Sequence, residues 1–235
     1  MNIFITGGNR GIGLEFVKQF VSEGNTIFAS YRNPNGISEL ESIKATYPNN
    51  LHFISLEVSN LESVQNCYNI ISSQISELDL LINCAGIISG GSQRNYPLGT
   101  MAAEDIQHVF SVNAISPLRI CEQFLPLLEK SDMPRIVNIS SKMGSIGLKT
   151  ITGNYSYCAS KSALNMFSKM MAIDLRQKNI TVLTFHPGWV RTDMGGQNAE
   201  ISPSESISGM ITAIFSHTLE DSGKFLDWTG KELPW

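Results

Sequence analysis

Two tyrosines precede one lysine in the stretch "NYSYCASKSALNMF", Asn154 to Phe167. A phenol beside an ammonium is an acid–base pair, because the positive charge favours phenolate and lowers the tyrosine pKa toward working pH. Helical geometry separates the two candidates. Tyr157 and Lys161 are four residues apart, about 40° around a helix and on one face, within side-chain reach. Tyr155 lies six residues before Lys161 and points away from it. A YxxxK spacing alone is common, and more often structural than catalytic, so its meaning depends on the elements around it.

The second chemical signal is "ITGGNRGIG", Ile5 to Gly13, in which an apolar strand runs into a glycine turn and then a helical pattern. Gly7, Gly11 and Gly13, with Asn9, Arg10 and Ile12 between them, leave room for a pyrophosphate against backbone, and the helix N-terminus offers amide donors. The spacing is G-x-x-x-G-x-G, not GxGxxG, and a turn without a ligand remains an alternative. The next strand ends "FASYRNP", with Arg32 and no acid. A site for a free ribose 2′-hydroxyl would place Asp or Glu there. Arg10 and Arg32 converging instead suit a 2′-phosphate, which planar guanidiniums bind well. NADPH/NADP⁺ is therefore expected over NADH, with two merely solvated arginines as the rival reading.

The elements that must position these groups follow from periodicity. Apolar runs at Asn2–Thr6, Thr26–Ser30, Leu51–Leu56, Asp79–Asn83, Arg135–Ser140, Ile180–Phe185 and Gly223–Leu226 have little polar alternation, as in strands buried on both faces. Helical patterns lie between them near 11–23, 36–47, 60–76, 103–129, 155–178 and 203–217. The last opens on "SPSE", with Ser202 as N-cap, Pro203 at the first helical position and Glu205 closing a capping box. Repeating β–α units predict an α/β fold, a doubly wound parallel sheet of the Rossmann type with about seven strands and helices on both faces. No repeat, low-complexity tract or long linker divides residues 1–235, so one domain is expected.

Composition agrees. The 235 residues are 42% hydrophobic, enough for one sizeable core, and only 16% charged, of mixed sign. A net charge of −4 gives no reason to expect nucleic acid or an anionic membrane as partner. Cys67, Cys84, Cys121 and Cys158 form no CxxC pair and no metal-ligand spacing, so no metal is expected and the thiols read as reduced. "MNIFITGG" goes straight into a strand and fits no signal peptide, and no run approaches the roughly 18 apolar residues of a spanning helix. A cytoplasmic location is expected.

With these motifs in view, the sequence resembles the short-chain dehydrogenase/reductase family along nearly its whole length. The resemblance rests on "TGGNRGIG", "INCAGI" (Ile82–Ile87), "VNAISP" (Val112–Pro117), "IVNISS" (Ile136–Ser141), "YCASK" (Tyr157–Lys161) and "HPGWVRTDM" (His186–Met194), in order. "HPGWVRTDMGG" and the ending "FLDWTGKELPW" resemble the C-factor and sniffer-type carbonyl reductase branch. The resemblance implies that Tyr157 is a general acid toward a carbonyl oxygen as hydride reaches its carbon. It implies that Lys161 depresses the tyrosine pKa and holds the nicotinamide ribose, that Ser141 positions the substrate oxygen, and that Asn113 fixes a water in a proton relay. Ser140 is the alternative match for the serine, and an asparagine bonding helix backbone is the plain reading of Asn113.

On the same basis Asn83, Ala85 and Gly86 line the adenosine side, Glu57 and Val58 lie at the adenine, and Pro187, Gly188, Val190 and Thr192 hold the nicotinamide. Cys84 stands where the family usually has a second asparagine, and Glu57 where it usually has aspartate. His186 reads as scaffold and Cys158 as packing. Substrate selection falls to loops near 87–101 and 193–202; the second is short and glycine-led, which suggests an open site for small or medium carbonyl compounds. The resemblance also implies a homodimer or homotetramer. The expected function is an NADPH-dependent carbonyl reductase. The alternatives are a cofactor-binding signalling protein and an epimerase or dehydratase, for which the chain after Met194 is short.

Overall fold

The computed structural model describes residues 1–88 and 98–235. Seven parallel strands form one sheet: β1 (Asn2–Ile5), β2 (Thr26–Tyr31), β3 (Leu51–Ser55), β4 (Leu80–Asn83), β5 (Arg135–Ile139), β6 (Thr181–His186) and β7 (Phe225–Asp227). Their order is β3-β2-β1-β4-β5-β6-β7. The chain reverses its direction of winding between β1 and β4, and that break opens a crevice at the carboxyl ends of the strands, where α/β sheets bind ligands.

Why both faces are buried is visible in the residue alternation. Ile3, Ile5, Ile27, Ala29, Leu80, Ile82, Val137, Leu183 and Phe185 enter one core. Phe4, Phe28, Leu81, Ile136 and Val182, the residues between them, enter the other. Each face needs its own cover, because a fully buried Phe or Leu side chain contributes about 1.5–3 kcal/mol only while water stays out. Helices α1 (Gly11–Ser22), α2 (Ser38–Thr46) and α7 (Pro203–Ser216) cover the first face. Helices α3 (Leu61–Ser72), α5 (Ser116–Leu128) and α6 (Tyr155–Asp174) cover the second, and α4 (Ala103–Phe110) packs against α6.

Two sequence expectations change here. The run 103–129 is not one helix, because Ser111–Ile115 is a π-turn between α4 and α5. Pro117 supplies the cause: it has no N–H to give the Asn113 carbonyl four residues back, so the helix widens. At α7 only half of the expected capping box forms. Ser202 Oγ accepts from Glu205 N at 3.1 Å, without a return bond from the Glu205 carboxylate. The reciprocal pair is made instead by Thr218 and Asp221. Residues 89–97 of the first expected substrate loop lie outside the described residues.

Candidate active site

The glycine turn is shaped by collisions it avoids. Gly7 (φ +67°) and Gly11 (φ +54°) adopt left-handed backbone that other residues rarely take. A Cβ on Gly13 would fall 2.2 Å from the Gly7 carbonyl oxygen, and one on Gly8 would fall 2.8 Å from Ala29 Cβ. Gly13 therefore lets α1 pack onto the turn, and Gly8 packs the turn onto β2. The amide of Leu14 makes the first helical bond, to Arg10 O at 3.1 Å. No side chain caps α1 and its first turn has no acid. Its positive end faces the crevice unneutralised, which fits an anionic pyrophosphate. Asn9 Nδ2 donates to Gly36 O at 3.0 Å, and Ile12 packs against the core.

Thr6, which sequence reasoning passed over, ties this turn to the next. Its Oγ1 accepts from both Cys84 N and Ala85 N at 3.0 Å. A threonine at a strand end before paired glycines was the signal available for it. Ala85 then stands close enough to Gly7 that a Cβ there would meet Ala85 Cα at 3.1 Å. Asn83 Nδ2 donates to Asn138 Oδ1 at 2.8 Å, and Asn138 Nδ2 to Ser168 Oγ at 2.9 Å, a buried chain from β4 through β5 to α6. These three residues brace the floor of the site.

Each of the two arginines has a carboxylate partner. Arg10 Nη1 lies 3.8 Å from Asp193, and Arg32 Nη1 lies 3.7 Å from Glu57. Each guanidinium lies on a carboxylate at the rim, since an exposed cation takes the nearest anion when nothing stronger is present. Glu57 is itself fixed, its Oε1 accepting from Ser59 Oγ at 2.8 Å and Ser59 N at 3.2 Å. Val58 beside it is buried in the core. β2 ends on Tyr31, followed by Arg32, with no acid there.

Across the crevice, β6 leads into Pro187 and Gly188. Gly188 (φ +86°) has no room for a Cβ, which would lie 2.4 Å from Ile201 Cδ1. Pro187 O accepts from Ser206 Oγ at 2.6 Å, and Val190 bridges to Ile201. Thr192 Oγ1 accepts from Gly195 N at 3.1 Å, and its methyl lies 3.5 Å from where a Gly11 Cβ would stand. The segment that follows β6 thus closes against the glycine turn.

Between these walls stand Ser141, Tyr157, Lys161 and Asn113. Ser141 Oγ accepts from Met143 N at 3.1 Å and is near enough to the Tyr157 phenol to favour its ionised form. Ser140 is turned inward, donating to Asn165 Oδ1 at 2.6 Å. Ser141 is therefore the serine at the phenol, and Ser140 is part of the scaffold. Tyr155 hydrogen-bonds Thr152 Oγ1 at 3.2 Å and takes no part.

Lys161 is buried, its ammonium donating to Ile139 O at 2.8 Å and standing 5.8 Å from the Tyr157 ring centroid. Burial pulls its pKa down to about 8, partly offset by Cys84. Burial also pushes the Tyr157 phenol up to about 12, against the opposing influence of the Ser141 hydroxyl. The ammonium is committed to a carbonyl, and the largest influence on the phenol is its partial removal from water. Tyr157 is held protonated, as a proton donor must be.

Asn113, in the π-turn, is fully buried. Its Oδ1 accepts from Ile87 N at 2.8 Å, and its Nδ2 donates to Ile87 O at 2.8 Å and Ser160 Oγ at 3.1 Å. Both amide protons are committed, so the side chain braces the β4 turn against α6. A Cβ on Gly86 would lie 3.4 Å from Asn113 Oδ1 and 3.7 Å from Lys161 Nζ, so Gly86 gives those two groups their approach. Gly144 plays the same part on the other side, since a Cβ there would lie 2.7 Å from the Lys161 backbone. Sequence reasoning did not single it out. His186 is buried, its pKa pulled down to about 4 by burial, and reads as scaffold.

The short chain dehydrogenase family model matches residues 1–202. The chain belongs to that family. It is an oxidoreductase by membership, and its seven-stranded sheet is the one the family shares. It is 40% identical to the C-signal of Myxococcus xanthus over 138 residues, 59% of this chain and 83% of that one. The structure of NADPH-bound carbonyl reductase from chicken fatty liver superposes with a TM-score of 0.93 at 35% identity, covering 100% of this chain and 98% of that one. Carbonyl reductase Sniffer of D. melanogaster also gives 0.93, at 30% identity, with 100% and 99% covered. Among the described residues no helix is long and apolar enough to cross a membrane, and no His/Cys/Asp/Glu group could hold a metal.

Proposed function

We propose that this protein reduces the carbonyl group of an aldehyde, ketone, diketone or quinone to an alcohol with NADPH. The single observation carrying this reading is the half-buried, protonated Tyr157 set beside Ser141 and Lys161, at the end of a crevice whose far wall is an uncapped helix start. Its structural relatives, by their names, are carbonyl reductases, one of them with NADPH.

The cofactor would be held by the α1 amides and the clearances at Gly7 and Gly11. Arg32, with Arg10, would serve the 2′-phosphate, and the Pro187–Thr192 segment the nicotinamide end. When bound it supplies a hydride to the carbonyl carbon. The protein's own residues do the rest. The Tyr157 and Ser141 hydroxyls hold the carbonyl oxygen, and Tyr157 passes its proton there as negative charge develops. The Lys161 ammonium lowers the cost of the phenolate left behind. Asn113 and Gly86 keep that ammonium in place. Charge balances, with one hydride to carbon and one proton to oxygen.

The loop near 193–202 is tied down by Arg191, whose Nη1 donates to Ala199 O and Glu200 O, and this supports an open site for small or medium substrates. We also place the protein in the cytoplasm as a homodimer or homotetramer, its contact formed by Met166, Met170 and Ile173 on α6. NADPH and NADH oxidation against a panel of aldehydes, diketones and quinones tests the reading. NADPH should serve at least ten times better than NADH, and Arg32→Ala should erase most of that preference. Equal use of both cofactors by the unsubstituted protein would overturn the 2′-phosphate assignment. The C-signal likeness favours a second reading, a cofactor-binding signalling protein. Tight NADPH binding with no turnover across the panel would support it.

A further inference from the structure

The ending that follows β7 makes contacts that the proposed chemistry does not use. The chain turns back at Gly230, and Leu233 N donates to Phe225 O at 2.7 Å. The Trp235 ring then stacks on the buried Phe225 ring, centroids 5.4 Å apart and 21° between planes. This puts two backbone carbonyls against the loop after β5. Ser145 Oγ lies 2.7 Å from Pro234 O and 3.0 Å from Trp235 O, and Gly147 N donates to Trp235 O at 3.3 Å.

That loop begins at the candidate catalytic serine. From Ser141 the chain makes a single 3₁₀ turn, Lys142–Gly144, then Ser145, which is buried like Gly144 although Ile146 after it is exposed. Gly144 is pinned to α6, its carbonyl accepting from Ser162 Oγ at 2.7 Å and Asn165 Nδ2 at 3.3 Å. Beyond Ser145 the loop carries Ile146 (80% exposed), Leu148 and Ile151 (71% exposed). It returns onto the first turn of α6, where Lys149 Nζ lies 3.1 Å from Cys158 Sγ, one residue past Tyr157. An apolar loop is thus held at both ends by α6 and in the middle by residues 234–235. Ser145 Oγ otherwise accepts from Leu148 N at 3.2 Å, within the loop itself.

We infer that Leu233–Trp235 is the positioning element of the substrate loop. It acts through Ser145 to hold Ile146, Leu148 and Ile151 as an apolar wall for the substrate's hydrocarbon part, and it rests on the carbonyl-reduction reading above. Both acceptors are main-chain atoms, so the indole has a placing role: by stacking on Phe225 it sets where the carbonyls stand. Exposed apolar side chains on a loop lacking regular structure would otherwise collapse onto the cleft or fray. Trp235 and Ser145 touch neither cofactor nor reacting atoms, and they are positioning residues.

Trp235→Ala, Ser145→Ala, their double variant and Trp235→Phe test this in the full chain, with two readouts. The first is amide hydrogen exchange over residues 142–152 without cofactor. The second is kcat and KM for one aromatic ketone and one short aliphatic aldehyde, with the NADPH Kd alongside. Each alanine variant should speed exchange in that segment at least five-fold and raise KM for the aromatic ketone about five- to ten-fold. kcat, the aldehyde KM and the NADPH Kd should stay within two-fold. The double variant should be no worse than the single ones, since all break one contact, and Trp235→Phe should restore the wild-type values. Wild-type exchange in both alanine variants would overturn the proposal. So would kcat and both KM values changing together, which signals general loosening. If the wild-type protein turns over no carbonyl compound, the carbonyl reading fails while hydrogen exchange still decides the role of the tail.

Discussion

At the scale of single residues the site is governed by burial. Lys161 is buried and Tyr157 half-buried, and loss of water drives each toward its neutral form, to about 8 and about 12. The lysine makes this measurable without turnover. Its ordinary value is 10.5, so between about pH 8 and 10.5 the unfolded chain holds a proton that the folded protein has released. The unfolded state binding more protons means stability rises with pH across that window. Below about pH 8 both states are charged, and the cost of the buried ammonium is present in full. Lys161→Met removes this dependence. Comparison of urea unfolding for the two proteins at pH 7 and pH 10 should show the difference moving by about 2–3 kcal/mol in favour of the wild type. An unchanged difference would mean that Lys161 is not buried as a charge. Tyr157 is common to both proteins and cancels.

At the scale of elements, the glycine turn makes the sharpest demand. Gly13→Ala would set a methyl 2.2 Å from the Gly7 oxygen, so α1 must lift from the turn. A cost of roughly 1–3 kcal/mol in stability follows from such overpacking. The α1 amides would move with it, and fluorescence titration should show NADPH binding at least ten-fold weaker. Wild-type affinity in that variant would show that α1 does not form the pyrophosphate site.

Much at this scale was legible in the sequence. All seven strands stand within two residues of their apolar runs, because residues buried on both faces leave an unbroken signal. The YxxxK spacing likewise places Tyr157 near Lys161 and Tyr155 away from it. What was not legible depends on contacts between segments distant in sequence. Helical period cannot distinguish an α-turn from a π-turn, so the break at Asn113 stayed hidden despite Pro117. Arg10 and Arg32 are each drawn to a carboxylate, Asp193 and Glu57, that only the fold brings near. Thr6 and Gly144 act by bridging strand ends and by close approach to α6, and neither role follows from local pattern.

At the scale of the whole molecule, α6 does two jobs. Its inner face carries Ser160, Lys161, Leu164 and Ser168 into the site and core. Its outer face exposes Met166 (62%), Met170 (54%) and Ile173 (65%), spaced four and three residues apart on one side. The proposed second copy would sit on this apolar stripe, and a dimer there would stiffen the helix that holds Tyr157. Light scattering on the eluted protein should give a dimer or tetramer, reduced to a smaller species by Ile173→Glu. A monomeric wild type would remove this role from α6.

The central claim is that Tyr157 delivers the proton. Single-turnover stopped-flow on NADPH-loaded protein, mixed with an accepted ketone or aldehyde, tests it most directly. Tyr157→Phe and Tyr155→Phe are compared with the wild type. The account predicts loss of at least 10²–10⁴-fold in the rate for Tyr157→Phe, with NADPH affinity unchanged, and a near-wild-type rate for Tyr155→Phe. Turnover that survives the loss of the Tyr157 hydroxyl, or that fails equally without that of Tyr155, would contradict it.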